Sequence, residues 1–299
     1  MTTRVAAQDR VRAENQARQG LSHHSTMLLL YLVTTIGAIA FGLPFFWTVA
    51  SSLKTQAEIY SFPPVWFPSV PIWQNYALVF ELAPFGRFIV NTIIVTGLAI
   101  VGEVLTASMV AFGFTRFRFP FRDALFFLVL STMMIPWQVT IVPTFLLFRF
   151  FGWINTFSPL IVPSYFGGGA FYIFLLRQFF MTIPRDFDEA ARIDGANSLR
   201  IFWNVIWPLS RPAIATVMIF SFIGNWNDFI RPLIFLNTPS RFTVSIGLRY
   251  FNASPFTGDQ PREAVLMAAS MITAAPCLII FFLAQQYFVK GIVMSGIKG

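Results

Sequence analysis

Six long apolar stretches alternate with shorter polar segments along the 299-residue chain. A helix needs roughly 20 apolar residues to cross a hydrocarbon core about 30 Å thick, and each stretch reaches that length. The apolar residues run continuously instead of alternating, which does not fit the strands of a membrane barrel. The pattern therefore predicts an all-α membrane protein with six transmembrane helices, at residues 27–50, 88–112, 124–148, 160–180, 213–236 and 264–289.

The polar segments divide the chain into a basic tail at 1–26, a six-helix transmembrane domain at 27–289 and a C-terminal tail at 290–299. The first apolar run is too long for a signal-peptide core and lacks a small-residue cleavage site, so we expect a retained helix. Lysine and arginine concentrate in cytoplasmic segments of membrane proteins. With the N-terminus inside, 14 of the 21 basic residues lie in inner segments and 7 in outer ones. We therefore expect both termini in the cytoplasm.

Charged residues make up only 11% of the chain, against about 25% in soluble domains. The net charge of +8 is the charge expected of a surface that meets anionic lipid headgroups, so no nucleic-acid partner is inferred. The only two histidines, His23 and His24, are adjacent in the tail, so neither a metal site nor a catalytic site is expected. None of the three lysines follows a glycine as a P-loop requires, so this chain is not expected to bind ATP in that way.

Polar side chains within the apolar stretches are candidates for a transport pathway, because burying them in a membrane is costly. Glu103 lies well inside the second predicted helix. It is either a hydrogen-bonded packing residue or the ion-binding group of a secondary transporter. Pro136 and Pro143 predict a bend in the third helix, of the kind tolerated beside a cavity. The pathway candidates are Gln138, Asn225, Asn227 and Asp228.

A long polar insertion, residues 184–212, separates the fourth and fifth predicted helices. Asp186 and Glu189 have the spacing of a capping box, which predicts a short helix at 187–194. Gly195 can end that helix in a left-handed conformation. Asn197 or Ser198 can then cap a second helix that runs toward Pro208, with an apolar face. Spacing alone leaves two alternatives open: a solvated loop lying on the membrane, or a rigid projection that docks onto a partner.

The residue identities of the insertion resemble a known motif. Glu189, Ala190, Ala191, Gly195 and Pro208 match the EAA loop of ABC importer permeases, Glu-Ala-Ala, three residues, Gly, nine residues, Ile-x-Leu-Pro, at the same spacing. Val205 and Trp207 replace the usual Ile and Leu but keep the apolar character. Residues 225–236 and the ending at 285–299 also resemble the carbohydrate-uptake branch, in particular its maltose-permease-like and glycerol-phosphate-permease-like second subunits.

This resemblance implies a non-catalytic subunit that forms half of the pathway of a binding-protein-dependent sugar importer in a bacterial or archaeal cell membrane. Its implied partners are a homologous permease, two ATPase subunits that bind ATP and magnesium, and an extracytoplasmic solute-binding protein. The implied contacts with an ATPase are Asp186, Glu189, Ala190, Ala191, Asp194, Gly195 and Pro208. The implied contacts with the solute-binding protein are Ser254, Pro255, Phe256, Thr257 and Gly258.

Two other functions are compatible with the residues. A self-sufficient ion-coupled transporter would use Glu103 and would work without an ATPase. A membrane scaffold that transports nothing would tolerate loss of the bent third helix. The sequence does not identify the sugar.

Overall fold

The computed structural model describes residues 2–251 and 262–296, with side chains described within 26–251 and 262–285. The described residues form α-helices joined by short 3₁₀ and π turns and contain no strand, so the predicted all-α fold is confirmed. The α-helices in chain order are α1 (Thr2–Ser52), α2 (Gln56–Ile59), α3 (Gln74–Leu82), α4 (Phe85–Arg116), α5 (Arg122–Ser131), α6 (Trp137–Phe150), α7 (Ser158–Ile161), α8 (Ala170–Thr182), α9 (Asp186–Ile193), α10 (Ser198–Ile201), α11 (Trp207–Leu209), α12 (Arg211–Trp226), α13 (Ile230–Phe235), α14 (Val244–Gly247) and α15 (Glu263–Gly296).

Four helical segments among the described residues are long and apolar enough to cross a membrane, and there are six if each of two bent helix pairs counts as one span. The four are Thr26–Ser52, Phe85–Arg116, Ser158–Thr182 and Glu263–Gln285. They match the first, second, fourth and sixth predicted helices. At 1.5 Å per residue the 32 residues of α4 extend about 48 Å, so the ends of α4 reach beyond a hydrocarbon core of about 30 Å.

The third predicted helix is broken where a bend was expected. Arg122–Met134 and Trp137–Phe150 meet at 96°, with Pro136 between them. Proline has no amide hydrogen and its ring clashes with the preceding turn, so the chain leaves the helix there. Pro143 lies inside α6, which continues through it. One proline therefore ends a helix and the other does not.

The prediction of one continuous fifth helix at 213–236 is wrong. Helix α12 ends at Trp226, and α13 begins again only at Ile230. The side chain of Asn227 bonds the backbone carbonyl of Ile223 at 2.9 Å, and Asp228 accepts from the amide of Arg231 at 3.3 Å. Such bonds from side chain to backbone compete with helix continuation. Helix α12 is instead paired, at a bend of 81°, with Ser198–Leu209 before it.

Helix α4 is the centre of the bundle, packed against α8 and α12. One buried cluster surrounds the C-terminal half of α4 and includes Phe112, Phe180 and Phe202. A second surrounds its N-terminal end and includes Phe88 and Trp226. Because α4 passes through both clusters, it links the insertion to the opposite end of the bundle.

The segment after α1 is fixed by polar contacts. Lys54 is fully buried, donates to the carbonyl of Val65 at 2.6 Å and lies over the Trp47 ring at 4.0 Å. Burial lowers the pKa of Lys54, although Glu58 opposes the shift. Thr55 and Glu58 form a capping box at the start of α2. These contacts therefore give the connection between α1 and α3 a defined conformation.

Candidate functional site

The first helix of the insertion, α9, begins one residue earlier than predicted and without the predicted cap. Arg185 is its N-cap residue, and no side chain caps the helix. Asp186 is the first helical residue, so the predicted capping box between Asp186 and Glu189 is wrong. Asp186, Asp188 and Glu189 nevertheless place three acids in the first turn, where the exposed amides of a helix favour negative charge.

Gly195 makes the predicted turn between the two helices of the insertion. Its φ angle is 80°, in the region that residues with a Cβ rarely occupy. Its amide bonds the carbonyl of Arg192 at 3.0 Å, and the amide of Ala196 bonds the carbonyl of Ala191 at 2.9 Å. These bonds close the end of α9, so the elbow at Gly195 is fixed by the backbone.

Asn197, one of the two predicted caps, begins the second helix of the insertion. Its side chain accepts from the amide of Arg200 at 2.9 Å. The helix then passes through a π-helical turn, Phe202–Ile206, before Trp207–Leu209. Pro208 cannot donate and would crowd the carbonyl four residues earlier, and the wider turn relieves this. Trp207 packs against Phe202 and Trp203, with ring centroids 5.7 and 4.9 Å away.

The second helix is anchored in the bundle by its apolar face. Ile201, Phe202 and Ile206 are buried among residues of α4 and α8. Val205, also predicted on this face, is partly buried against the same cluster. The Phe202 ring lies 5.3 Å from Phe112 of α4. The insertion is therefore part of the packed fold, which contradicts a loosely solvated loop.

An ion pair that the sequence did not reveal joins α9 to α4. The Asp188 carboxylate lies 2.7 Å from Arg116 Nε, and their side chains are 11% and 5% exposed. Arg116 also donates to the carbonyl of Ile183 at 3.1 Å, and Arg185 donates to the carbonyl of Thr115 at 3.2 Å. Burial raises the pKa of Asp188 above its ordinary value, and the nearby Arg116 opposes that rise.

The outward surface of the insertion combines acids, a small residue and apolar side chains. Of the predicted partner contacts, Asp186, Glu189, Ala190, Asp194 and Gly195 are exposed, and Ala191 and Pro208 are partly buried. Beside them, Phe187, Ile193 and Leu199 are 50%, 86% and 58% exposed. We call the exposed set Phe187, Glu189, Ala190, Ile193, Asp194 and Leu199 the docking surface. Exposed apolar groups in such a patch are typical of interaction sites.

A polar cluster joins three elements inside the bundle. Glu103 accepts from Ser221 at 2.5 Å and from Asn225 at 3.3 Å, both on α12. Ser164, in the turn before α8, lies 3.5 Å from the same carboxylate. These bonds satisfy the carboxylate of Glu103 within the protein, as expected of a hydrogen-bonded packing residue.

The cluster continues to the break after α12. The Arg231 guanidinium donates to the Asn225 side chain at 3.1 Å and to Asp228 at 2.5 Å. Two predicted pathway residues, Asn225 and Asp228, are therefore brought together with Glu103. Asn227 and Gln138 are exposed, and no bond links them to the cluster within the described residues.

The predicted contacts with a solute-binding protein, residues 254–258, lie outside the described residues. Within the described part of the chain, no group of three or more His, Cys, Asp or Glu residues could hold a metal ion.

Comparison with known sequences relates the chain to transport proteins. The family described as "Binding-protein-dependent transport system inner membrane component" matches residues 103–294. The sn-glycerol-3-phosphate transport system permease protein UgpE of Yersinia enterocolitica is 29% identical over 90% of this chain and 96% of its own length. The probable ABC transporter permease protein YurM of Bacillus subtilis is 32% identical over 91% of this chain and 87% of its own length.

Comparison with solved structures gives the same fold. A chain of a bacterial ABC transporter involved in the import of alginate is 25% identical, with a TM-score of 0.78, over 89% of this chain and 98% of that chain. A chain from the alginate transporter in complex with its alginate-loaded periplasmic protein has a TM-score of 0.62 over 86% of this chain and 92% of that chain. At 17% identity, this second likeness concerns the fold alone.

Proposed function

The chain belongs to the family of inner-membrane components of binding-protein-dependent transport systems, as a permease subunit of an ABC importer, and we propose that its cargo is a sugar or sugar derivative. Oligosaccharides, disaccharides and glycerol-phosphate-like solutes are the candidate cargo. The printed functions of its relatives, transport of sn-glycerol 3-phosphate and import of alginate, support this cargo class. The location is the inner membrane of a bacterial or archaeal cell.

The assembly would contain this chain, a homologous second permease, two ATPase subunits and an extracytoplasmic solute-binding protein. ATP and magnesium would bind to the ATPases. This arrangement fits a chain without a P-loop lysine. Residues 254–258 remain the predicted contact with the solute-binding protein. The family assignment does not favour the alternative of a self-sufficient ion-coupled transporter.

The observation that supports the coupling role is that the docking surface is exposed and belongs to a helix held against the bundle. A partner can drive a conformational change only through contacts that differ between two states. The insertion offers such contacts because α9 is exposed on one side and tied to α4 on the other by Asp188 and Arg116. Movement of an ATPase against α9 would thus be transmitted to the central helix of the bundle.

Within the membrane, the four predicted pathway residues would have two different roles. Asn225 and Asp228 would stabilise the structure that lines the pathway, because Asn225 is hydrogen-bonded to Glu103 and Asp228 to Arg231. Asn227 and Gln138 are exposed, so they would be the side chains that meet the solute once the second permease completes the pathway.

Charge reversal in the docking surface tests the coupling role. In the transporter co-expressed with its ATPase, Glu189→Lys should abolish ATPase co-purification and solute uptake. The matched control is Glu81→Lys, because Glu81 is an exposed acid on α3, outside the insertion. The control should keep both activities. If Glu189→Lys retains the ATPase and transports normally, the coupling role of this surface is wrong.

A further inference from the structure

A cavity of about 330 Å³ lies beside the root of the insertion and is lined by four arginines. They come from four places in the chain: Arg116 ends α4, Arg122 begins α5, Arg177 lies on α8 and Arg185 precedes α9. None of the described lining residues is acidic. Four guanidinium groups around one cavity repel each other unless counter-charges are near.

The carboxylates of the surrounding residues neutralise only part of this charge. Arg116 is paired with Asp188. Arg122 is paired with Asp123, whose side chain is 75% exposed. Among the described residues, Arg185 bonds a neutral backbone carbonyl, that of Thr115, and no carboxylate. Two acids therefore face four arginines.

Arg177, the fourth arginine of the lining, stacks on an aromatic ring. Its guanidinium lies 4.1 Å from the centre of the Phe126 ring, and its buried Nε has no hydrogen-bond partner among the described residues. A buried donor without an acceptor costs free energy. An anion in the cavity would offset the excess positive charge of the four arginines.

The position of the cavity indicates which anion. Arg116 ends a helix, and Arg122 begins a bent helix pair, that is long and apolar enough to cross a membrane, so lipid headgroups are expected near this cavity. Phe114 and Met181 also line it, and Met181 is 55% exposed, which gives apolar contact beside the charges. Guanidinium groups bind phosphate oxygens with paired hydrogen bonds, and basic pockets between membrane helices bind anionic headgroups. We propose that this cavity binds the phosphate of an anionic phospholipid in the leaflet on the insertion side.

The proposal is tested by native mass spectrometry of the full chain in detergent with added phosphatidylglycerol. The wild type should retain at least one phosphatidylglycerol molecule that phosphatidylcholine does not replace. Arg122→Gln combined with Arg177→Gln should weaken that binding about tenfold or more. Arg149→Gln is the matched control, because Arg149 is an exposed arginine at the end of α6 and does not line the cavity; its binding should equal the wild type.

Two further measurements keep the test decisive. Arg122→Gln alone keeps the contact of Arg177 with the Phe126 ring, so this single variant should fold even if the double variant is unstable. Its lipid binding should also be weaker than that of the wild type. Inorganic phosphate and glycerol 3-phosphate are titrated by thermal shift to represent soluble phosphates. Stabilisation by these soluble ions that depends on Arg122, without retained lipid, would overturn the lipid assignment. Equal phosphatidylglycerol binding by the wild type and both arginine variants would overturn the site itself.

Discussion

Replacing Asp188 with alanine should detach α9 from the bundle without unfolding the membrane helices. The change removes the only carboxylate within ion-pairing distance of Arg116 among the described residues. The pair is buried, with 11% and 5% of the two side chains exposed, and removing one partner of a buried pair costs about 3–5 kcal/mol. The pair lies at the edge of the bundle, so we expect the lower value, about 3 kcal/mol. This corresponds to a change of more than a hundredfold in the equilibrium constant for detaching α9.

Hydrogen exchange with mass spectrometry measures this local effect. The amide of Asp194, the residue after α9, bonds the carbonyl of Ala190 at 3.1 Å. In Asp188→Ala, the protection of this amide and of the hydrogen-bonded amides of α9 against exchange should fall roughly a hundredfold. Asp186→Ala is the matched control, since Asp186 is an exposed acid in the same helical turn. The double variant Arg116→Met with Asp188→Leu should regain much of the protection, because it leaves no unpaired charge. Unchanged exchange in Asp188→Ala, or equal loss in Asp186→Ala, would refute the anchoring role.

Three other changes have defined outcomes. Gly195→Ala should destabilise α9 by about 1–2 kcal/mol, because φ is 80°, while Gly195→Asn should cost less. Equal hydrogen exchange in both variants and the wild type would show that the elbow does not need a glycine. Hydrogen bonds from Ser69 and Thr55 lower the pKa of Glu58 from 4.5 to about 2, so its stabilising contribution should be complete above pH 4.5 and lost as the pH falls toward 2. A carboxyl NMR titration of glutamate-labelled protein, assigned with Glu58→Gln, should show this, and a midpoint near 4.5 would exclude it. Glu103→Ala should lower the melting temperature more than Glu103→Gln, because alanine removes the acceptor of the Ser221 hydroxyl and of one amide hydrogen of Asn225. Ion-driven uptake by the chain alone that Glu103→Gln abolishes would favour the ion-coupled alternative.

The elements that the sequence predicts well depend on local chemistry. Gly195 and Asn197 perform the roles expected from their types, since a left-handed turn and a side-chain cap need only neighbouring backbone. Four of the six apolar stretches coincide with long apolar helices of the described residues, because the bilayer sets the length of such stretches. The apolar face of the second insertion helix follows from helical spacing, and its residues Ile201, Phe202 and Ile206 are buried.

The elements that the sequence missed depend on residues far apart in the chain. Asp188 looked like one acid among several, and only the fold brings it to Arg116 of α4. The two prolines of the third predicted helix have the same chemistry, yet only Pro136 breaks the helix, a difference that residue type alone does not encode. The predicted fifth helix is longer than the observed one because the apolar residues after Asp228 continue the hydropathy pattern across a turn between α12 and α13.

The insertion is proposed as the docking site for a separate ATPase, and site-specific photo-crosslinking can detect that contact. Benzoylphenylalanine is placed at Ile193, which is 86% exposed on the docking surface, and as a control at Phe150, which is 85% exposed at the end of α6. In the assembled transporter, light should join the Ile193 variant to the ATPase subunit and leave the Phe150 variant without that product. An Ile193 variant that transports normally but gives no ATPase adduct would contradict the claim, as would equal adducts from both positions.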